Sequence, residues 1–165
     1  MYHLNNYGLQ HRNDFENNVY RGFKMNYTNL LQYKRNKGKI ILFTNFIFVN
    51  SEIKISKLSS GRKRSKEIFE SKRLFSVIYY IKNIYRDNWI PNLINVTNES
   101  KYRKEKDFLF QPFSFFHVKD VQIDMENYTG DIYLETIGRT EILEEKIKNG
   151  KEIIYNKEEN IMQIK

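Results

Sequence analysis

The run Phe108-Leu-Phe-Gln-Pro-Phe-Ser-Phe-Phe-His-Val118, which continues to Ile123, is so dense in aromatic and aliphatic side chains that extended chain is the conformation it best supports. An acidic doublet, Glu105-Lys-Asp107, opens it. Lys39 to Val49 and Leu74 to Tyr85 have the same character, and in the second of these Phe75, Val77, Tyr79 and Ile81 alternate with Ser76, Ile78, Tyr80 and Lys82. Each run has to find partners, because a strand leaves its backbone groups unsatisfied until a neighbour pairs with it. A chain of 165 residues can bury roughly 70% of its unfolded surface, which is enough for one compact core. With 40% hydrophobic residues, 12 Tyr and 12 Phe, it has the apolar surface to offset the entropy of ordering.

Shorter elements fill the rest. Residues 1–17 are polar and without a sustained period, and read as a loosely ordered lead-in to a domain over 18–165. Val19 to Phe23 reads as a short strand, Tyr27 to Lys34 as a helix pointing Leu30, Leu31 and Tyr33 inward, and Lys37-Gly38 as its break. Lys57 to Gly61 reads as a turn, and Ser65 to Lys72 as a helix edged by Ile68 and Phe69. Arg86 to Ser100 is a long connection with a short strand at Leu93 to Val96. Asp131 to Ile137 is a further strand after the turn Glu126 to Gly130. Arg139 to Asn149 is an amphipathic helix closed by Gly150, and Glu152 to Lys165 forms a hairpin around Lys157-Glu-Glu-Asn160. The sum is a strand-rich α+β fold with helices in the minority.

The net charge of +8 favours phosphate-bearing partners without choosing among nucleic acid, a membrane surface and a dinucleotide. It gathers in two clusters, one of Arg62, Lys63, Arg64, Lys66, Lys72 and Arg73, the other of Lys101, Arg103, Lys104 and Lys106, and a solvated face accounts for either. The absence of cysteine excludes disulfides and thiolate metal sites and points to the cytoplasm. No apolar run reaches the ~18 residues that a membrane span needs. Gly-x-Gly-x-x-Gly, the P-loop, His-Glu-x-x-His and Gly-x-Ser-x-Gly are all missing. His3, His11 and His117 are far apart, which argues against a metal site.

One constellation remains. Taken alone, Arg21 within Tyr20-Arg21-Gly22 reads equally as a surface arginine on a strand, and the acidic doublet as a solvated pair at a strand entrance. In order along the chain stand Val19-Tyr-Arg-Gly22, a helix, Lys37-Gly-Lys-Ile-Ile41, the doublet with its Phe-Ser-Phe-Phe strand, and Asp131-Ile-Tyr-Leu-Glu135. This order resembles the arginine-specific mono-ADP-ribosyltransferases, which carry a Glu-x-Glu where this chain has Glu105-Lys-Asp107. The resemblance covers most of the chain from Val19 onward but lacks the helical segment that precedes the arginine motif in the family. It implies a pair of facing small β-sheets with flanking short helices, and NAD as co-substrate in the cleft between them. It implies, further, transfer of ADP-ribose to a protein arginine with release of nicotinamide.

Position by position, the resemblance makes Arg21, with Tyr20 and Gly22 beside it, the clamp on NAD. Glu105 becomes the acid that orients the acceptor guanidinium, and Asp107 the acid that holds the nicotinamide ribose and favours the positive charge that develops there. Where the family has Ser-Phe-Thr-Ser-Thr-Ser, this chain has Asn45-Phe-Ile-Phe-Val-Asn50, so Phe48 and Val49 replace hydroxyl side chains and only Asn45 and Asn50 offer amides to the cofactor. Asp107 is also one methylene shorter than Glu. These departures support an alternative, a catalytically impaired relative that binds NAD or a protein partner. Tyr102 lies where the family places its acceptor-recognition loop. The expected partners are NAD and an acceptor protein with an exposed arginine, with no nucleic acid. The charge and the aromatics alone would also allow a nucleic-acid-binding domain, but no motif of such a module is present.

Overall fold

The computed structural model describes residues 18–84, 93–97 and 107–138, and the backbone of 153–156 and 161–164. The expected lead-in, the helix at Arg139 to Asn149, most of the connection at Arg86 to Ser100, Tyr102 and Glu105 lie outside these residues.

Strand β1 (Asn18–Asn26) runs directly into α1 (Tyr27–Arg35), where the Asn26 side chain accepts a hydrogen bond from the Asn29 N–H at 2.8 Å and so caps the first turn. Lys34 and Arg35 sit in its last turn, the favoured sign at a helix C-terminus. Strands β2 (Ile40–Phe43) and β3 (Ile47–Asn50) follow, then α2 (Ile53–Ser60), a 3-10 turn at Arg62–Arg64, α3 (Ser65–Lys72) and β4 (Leu74–Lys82). The remaining strands are β5 (Leu93–Asn95), β6 (Asp107–Phe110), β7 (Ser114–Asp124), β8 (Thr129–Ile137), β9 (Ile153–Asn156) and β10 (Ile161–Ile164). The last two pair antiparallel, as the hairpin reading requires.

All ten strands join in the order β5-β6-β3-β1-β4-β8-β7-β2-β10-β9. Every pairing is antiparallel except β4 with β8, which divides the sheet into two halves of five strands. The halves face each other. Phe110 on β6 and Phe116 on β7 belong to strands five positions apart, about 24 Å in a flat sheet at 4.8 Å per strand. Their ring centroids are 5.1 Å apart. The sheet therefore curls until its inner surfaces meet around Phe110, Phe116, Val19, Val77, Ile132 and Leu134, each at most 1% exposed.

The curl comes from two bends that the sequence does not announce equally. Lys39 to Val49 and Phe108 to Ile123, each read above as one strand, are both broken in two. The register between them is unbroken, with Phe43 opposite Ser114 on one side of the break and Ile47 opposite Phe110 on the other. A single two-stranded ribbon thus bends at 44–46 and 111–113, placing β3 beside β1 and β7 beside β8. Pro112 has no N–H to donate to a ladder, and Phe113 takes up φ 63° while its N–H reaches the Phe43 carbonyl at 2.7 Å.

Helix α1 lies against the inner surface, with Leu30 fully buried and the Tyr33 and Tyr79 hydroxyls 2.7 Å apart. Helix α2 covers part of the outer surface and corrects the expectation of a turn at Lys57 to Gly61. Its buried side chains are Ser56 and Ser60, so it has no apolar stripe to betray it. It ends at Gly61 in the left-handed conformation, φ 72°. The close approach depends on Gly22, where a Cβ would stand 1.7 Å from the Ser56 carbonyl oxygen. Among the described residues no helix is long and apolar enough to cross a membrane.

Candidate functional site

Alternation along β1 separates its side chains between the two surfaces. Val19 and Phe23 point into the core, Phe23 with its ring 4.5 Å from that of Tyr79. By the same alternation Arg21, opposite Tyr79, shares the inner surface. Tyr20 and Gly22 share the outer one.

The outer surface carries a continuous row. Asp107 pairs with Asn50, Asn50 with Tyr20, Tyr20 with Tyr80, Tyr80 with Tyr133 and Tyr133 with Asp120, so six strands contribute one side chain each along a line across the sheet. At one end Asn50, only 5% exposed, donates its Nδ2 hydrogen to Asp107 Oδ1 at 3.0 Å. Its own Oδ1 accepts the Glu52 N–H at 2.7 Å, next to the start of α2. Both ends of the amide are thereby fixed, and one Asp107 oxygen is held while Oδ2 has no partner among the described residues. The Asp107 backbone is held too, its carbonyl accepting the Val96 N–H at 2.9 Å. A carboxylate anchored in this way, with an oxygen to spare, can accept a hydroxyl proton or face a developing positive charge without first reorganising.

Of the residues singled out from the sequence, the structure brings together Tyr20, Asn50 and Asp107. It does not bring Arg21 to their surface: the register sets Arg21 with Val49 and Phe108, and among the described residues nothing pairs with its guanidinium. Asn45 is exposed at the bend, at the far end of β3 from Asn50, up to about 16 Å away along extended chain. Gly22 lies beneath α2. Phe48, in place of the family's serine, stands 64% exposed on the outer surface.

The rest of the row escaped the sequence reading. The Tyr20 ring meets Tyr80 edge-on at 5.7 Å, and Tyr80 stacks on Tyr133 at 4.8 Å and 19°. Burial, and after it the Asp131 carboxylate, raises both the Tyr80 and the Tyr133 phenol above the ordinary tyrosine range, so each stays a neutral donor. The signal that could have found them is the alternation of Tyr80 with buried Tyr79 and Ile81, and of Tyr133 with Ile132 and Leu134. Part of the first basic cluster, Arg62, Lys63, Arg64 and Lys66, lines a separate cavity of about 550 Å³ with Asp124, Asn127 and Thr129. Arg62 is not a solvated charge, since it pairs with Asp131 and donates to the Gly130 carbonyl. Among the described residues no group of acids and histidines is placed to hold a metal.

No protein-family model matches the chain, and no curated protein matches it either. Solved structures do. The Vis toxin, an ADP-ribosyltransferase from Vibrio splendidus, is similar with a TM-score of 0.55 and 20% identity, over 83% of this chain and 53% of that one. The ADP-ribosyltransferase HopU1 of Pseudomonas syringae pv. Tomato gives 0.52 and 13%, over 74% and 45%, and the type III effector XopAI from Xanthomonas axonopodis pv. citri gives 0.54 and 13%, over 81% and 44%. The chain thus spans about half the length of the structures it matches. Two facing sheet halves, flanking short helices and these likenesses together show that the chain has the fold of the ADP-ribosyltransferases.

Proposed function

We propose that this chain is the NAD-using part of an ADP-ribosyltransferase that modifies protein arginine side chains. One observation carries the reading: within an ADP-ribosyltransferase fold, Asp107 stands at the head of β6 with its carboxylate fixed by Asn50 and one oxygen uncommitted. In this reading Asp107 holds a hydroxyl of the nicotinamide ribose and favours the positive charge that grows as the bond to nicotinamide breaks. Glu105, two residues earlier, orients the incoming guanidinium. Its nitrogen forms the new bond to the ribose carbon and loses a proton as nicotinamide leaves. The resemblance gives Arg21, Tyr20, Gly22, Asn45 and Asn50 to the dinucleotide and Tyr102 to the acceptor; of the first five, Tyr20 and Asn50 share the surface of Asp107. One of the Vis structures is a complex with agmatine, a guanidino compound, which supports an acceptor of that class. The lack of cysteine supports a cytoplasmic setting.

A second reading, a relative that binds but turns over poorly, rests on two observations. Arg21 and Asp107 belong to opposite surfaces by register, and Phe48 occupies a serine position. Incubation with labelled NAD and agmatine, following nicotinamide release and label transfer together, separates the two. Transfer that disappears in Asp107→Ala supports the transferase. A folded chain that binds NAD yet neither releases nicotinamide nor labels agmatine supports the impaired relative and overturns the first.

A further inference from the structure

The tyrosine end of the outer row walls a cleft of about 400 Å³, with Asn18, Lys82, Lys119 and Glu135 around it. Its three rings come from neighbouring strands and form a stack with an open end. Tyr20 meets Tyr80 by its edge and Tyr80 lies parallel to Tyr133, while among the described residues no other ring covers the second face of Tyr133.

Lys119 reaches the cleft through an irregularity. The pairing of β7 with β8 slips between Val118 and Asp120, leaving Lys119 as the extra residue, and a bulge of this kind re-aims a side chain.

The charges around the cleft do not cancel. Asp131 is taken up by Arg62, and Asp120 by Lys37 at 2.7 Å. Glu135 approaches Lys119 no closer than 3.8 Å and is the register neighbour of Lys82, so one carboxylate faces two ammonium groups. The surplus is positive, which disfavours a cation such as a guanidinium on these rings and favours an anion. The open face of Tyr133 beside two ammonium groups matches a ligand that joins a planar ring to a phosphate. A cleft of 400 Å³ lies in the range of small-ligand sites and holds one nucleotide rather than a run of stacked bases.

We propose that this cleft is a binding site for a nucleoside phosphate, with the base laid against Tyr133 at the open end of the stack and the phosphate held by Lys82 and Lys119. The proposal requires no catalysis at Asp107 and stands whether or not the chain is an active transferase.

Calorimetric titration of the full chain with ADP, NAD and a mixed-sequence single-stranded oligonucleotide tests it. The expected result is saturable binding of ADP that weakens about tenfold in Tyr133→Leu, the order of loss that removal of one base-stacking ring brings. Lys82→Ala combined with Lys119→Ala is expected to weaken ADP about tenfold as well and to flatten its salt dependence, while adenosine binding stays unchanged. Circular dichroism confirms that each variant is folded, and the lysine pair, being on the surface, keeps the test decisive if Tyr133→Leu is not. NAD competing with ADP places the dinucleotide's adenosine end in the cleft. The proposal is overturned if the folded chain binds neither ADP nor NAD. It is equally overturned if the folded variants bind ADP as the parent does, or if the oligonucleotide binds and ADP cannot displace it.

Discussion

The inner surface of the sheet is closed along its length by apolar side chains from both halves, whereas among the described residues the outer surface is closed where Gly22 admits α2 and opens one row further on at Tyr20, Tyr80 and Tyr133. The same three strands, β1, β4 and β8, supply both surfaces. The difference therefore lies not in the strands but in what each row is asked to do. On the inside, volume is filled by Phe110, Phe116, Val77 and Leu134, whose rings and branches interlock across the curl. On the outside, a residue without a side chain lets a helix lie flat, and the next row keeps aromatic groups that no helix of the described residues covers. Substitutions on the two surfaces should consequently fail in different ways.

The largest effect should come from Phe116→Ala. This ring is fully buried and meets Phe43 at 5.2 Å and Phe110 at 5.1 Å, so its removal takes away contacts on both sides of the ribbon bend. A loss of about 4 kcal/mol is expected from urea unfolding. A loss below about 1 kcal/mol would mean that the halves are not packed on each other, and the contrast between the surfaces would collapse.

Gly22→Ala comes next. The added methyl would stand 1.7 Å from the Ser56 carbonyl oxygen and 2.9 Å from the Ser60 nitrogen, both backbone atoms, so α2 has to move as a body. Overpacking against a backbone that cannot rotate away is expected to cost about 3 kcal/mol. Ser56→Gly in the same chain should not rescue it, because the obstacle is main chain. A rescue by Ser56→Gly would show that side-chain volume, not backbone approach, sets the position of α2.

These contrasts also mark how far the residues reveal the structure before it is seen. The α+β class, α1 with its break at Lys37-Gly38, and the terminal hairpin follow from local pattern and cap chemistry, which act over a few residues. Helix α2 does not, because its buried face is Ser56 and Ser60 against Gly22 and periodicity of apolar residues is blind to it. The ribbon bend has a signal on one strand alone: Pro112 cannot donate to a ladder, though the apolar run through it reads as one strand, while Thr44-Asn45-Phe46 on the other carries no such break. The row from Asp107 to Asp120 is invisible in principle, since it is a property of register between strands distant in sequence, and a shift of one residue would send every member to the other surface. The same point separates Arg21 from Asp107. Their proximity in a motif order says nothing about the parity of two pairings, β1 with β3 and β3 with β6, and parity decides which surface each one faces.

The smallest effect concerns the two acids that end the row. Asp107 is held by a neutral amide and Asp120 by a cation, and this asymmetry is what leaves the tyrosine cleft attractive to anions. The hydrogen bond from Lys37, followed by that from Gln122, holds the Asp120 carboxyl below the ordinary aspartate value of 3.8. A depressed folded value contributes stability that is present above the unfolded value and is lost as pH falls through the folded one, so the Lys37 contact should act at neutral pH and fade as pH falls below 3.8 and through the folded value. In Lys37→Ala, the Asp120 carboxyl followed by NMR titration is expected to move up toward 3.8, and the stability difference from the parent, small because the pair is exposed, should shrink to nothing on acidification. The freed carboxylate would also stand beside Tyr133, so the same variant should bind ADP less tightly at neutral pH than the parent and recover as Asp120 is protonated. An Asp120 midpoint that does not move on loss of Lys37 would leave an uncompensated negative charge at the cleft in the parent as well, and the electrostatic difference between the two ends of the row would have to be abandoned.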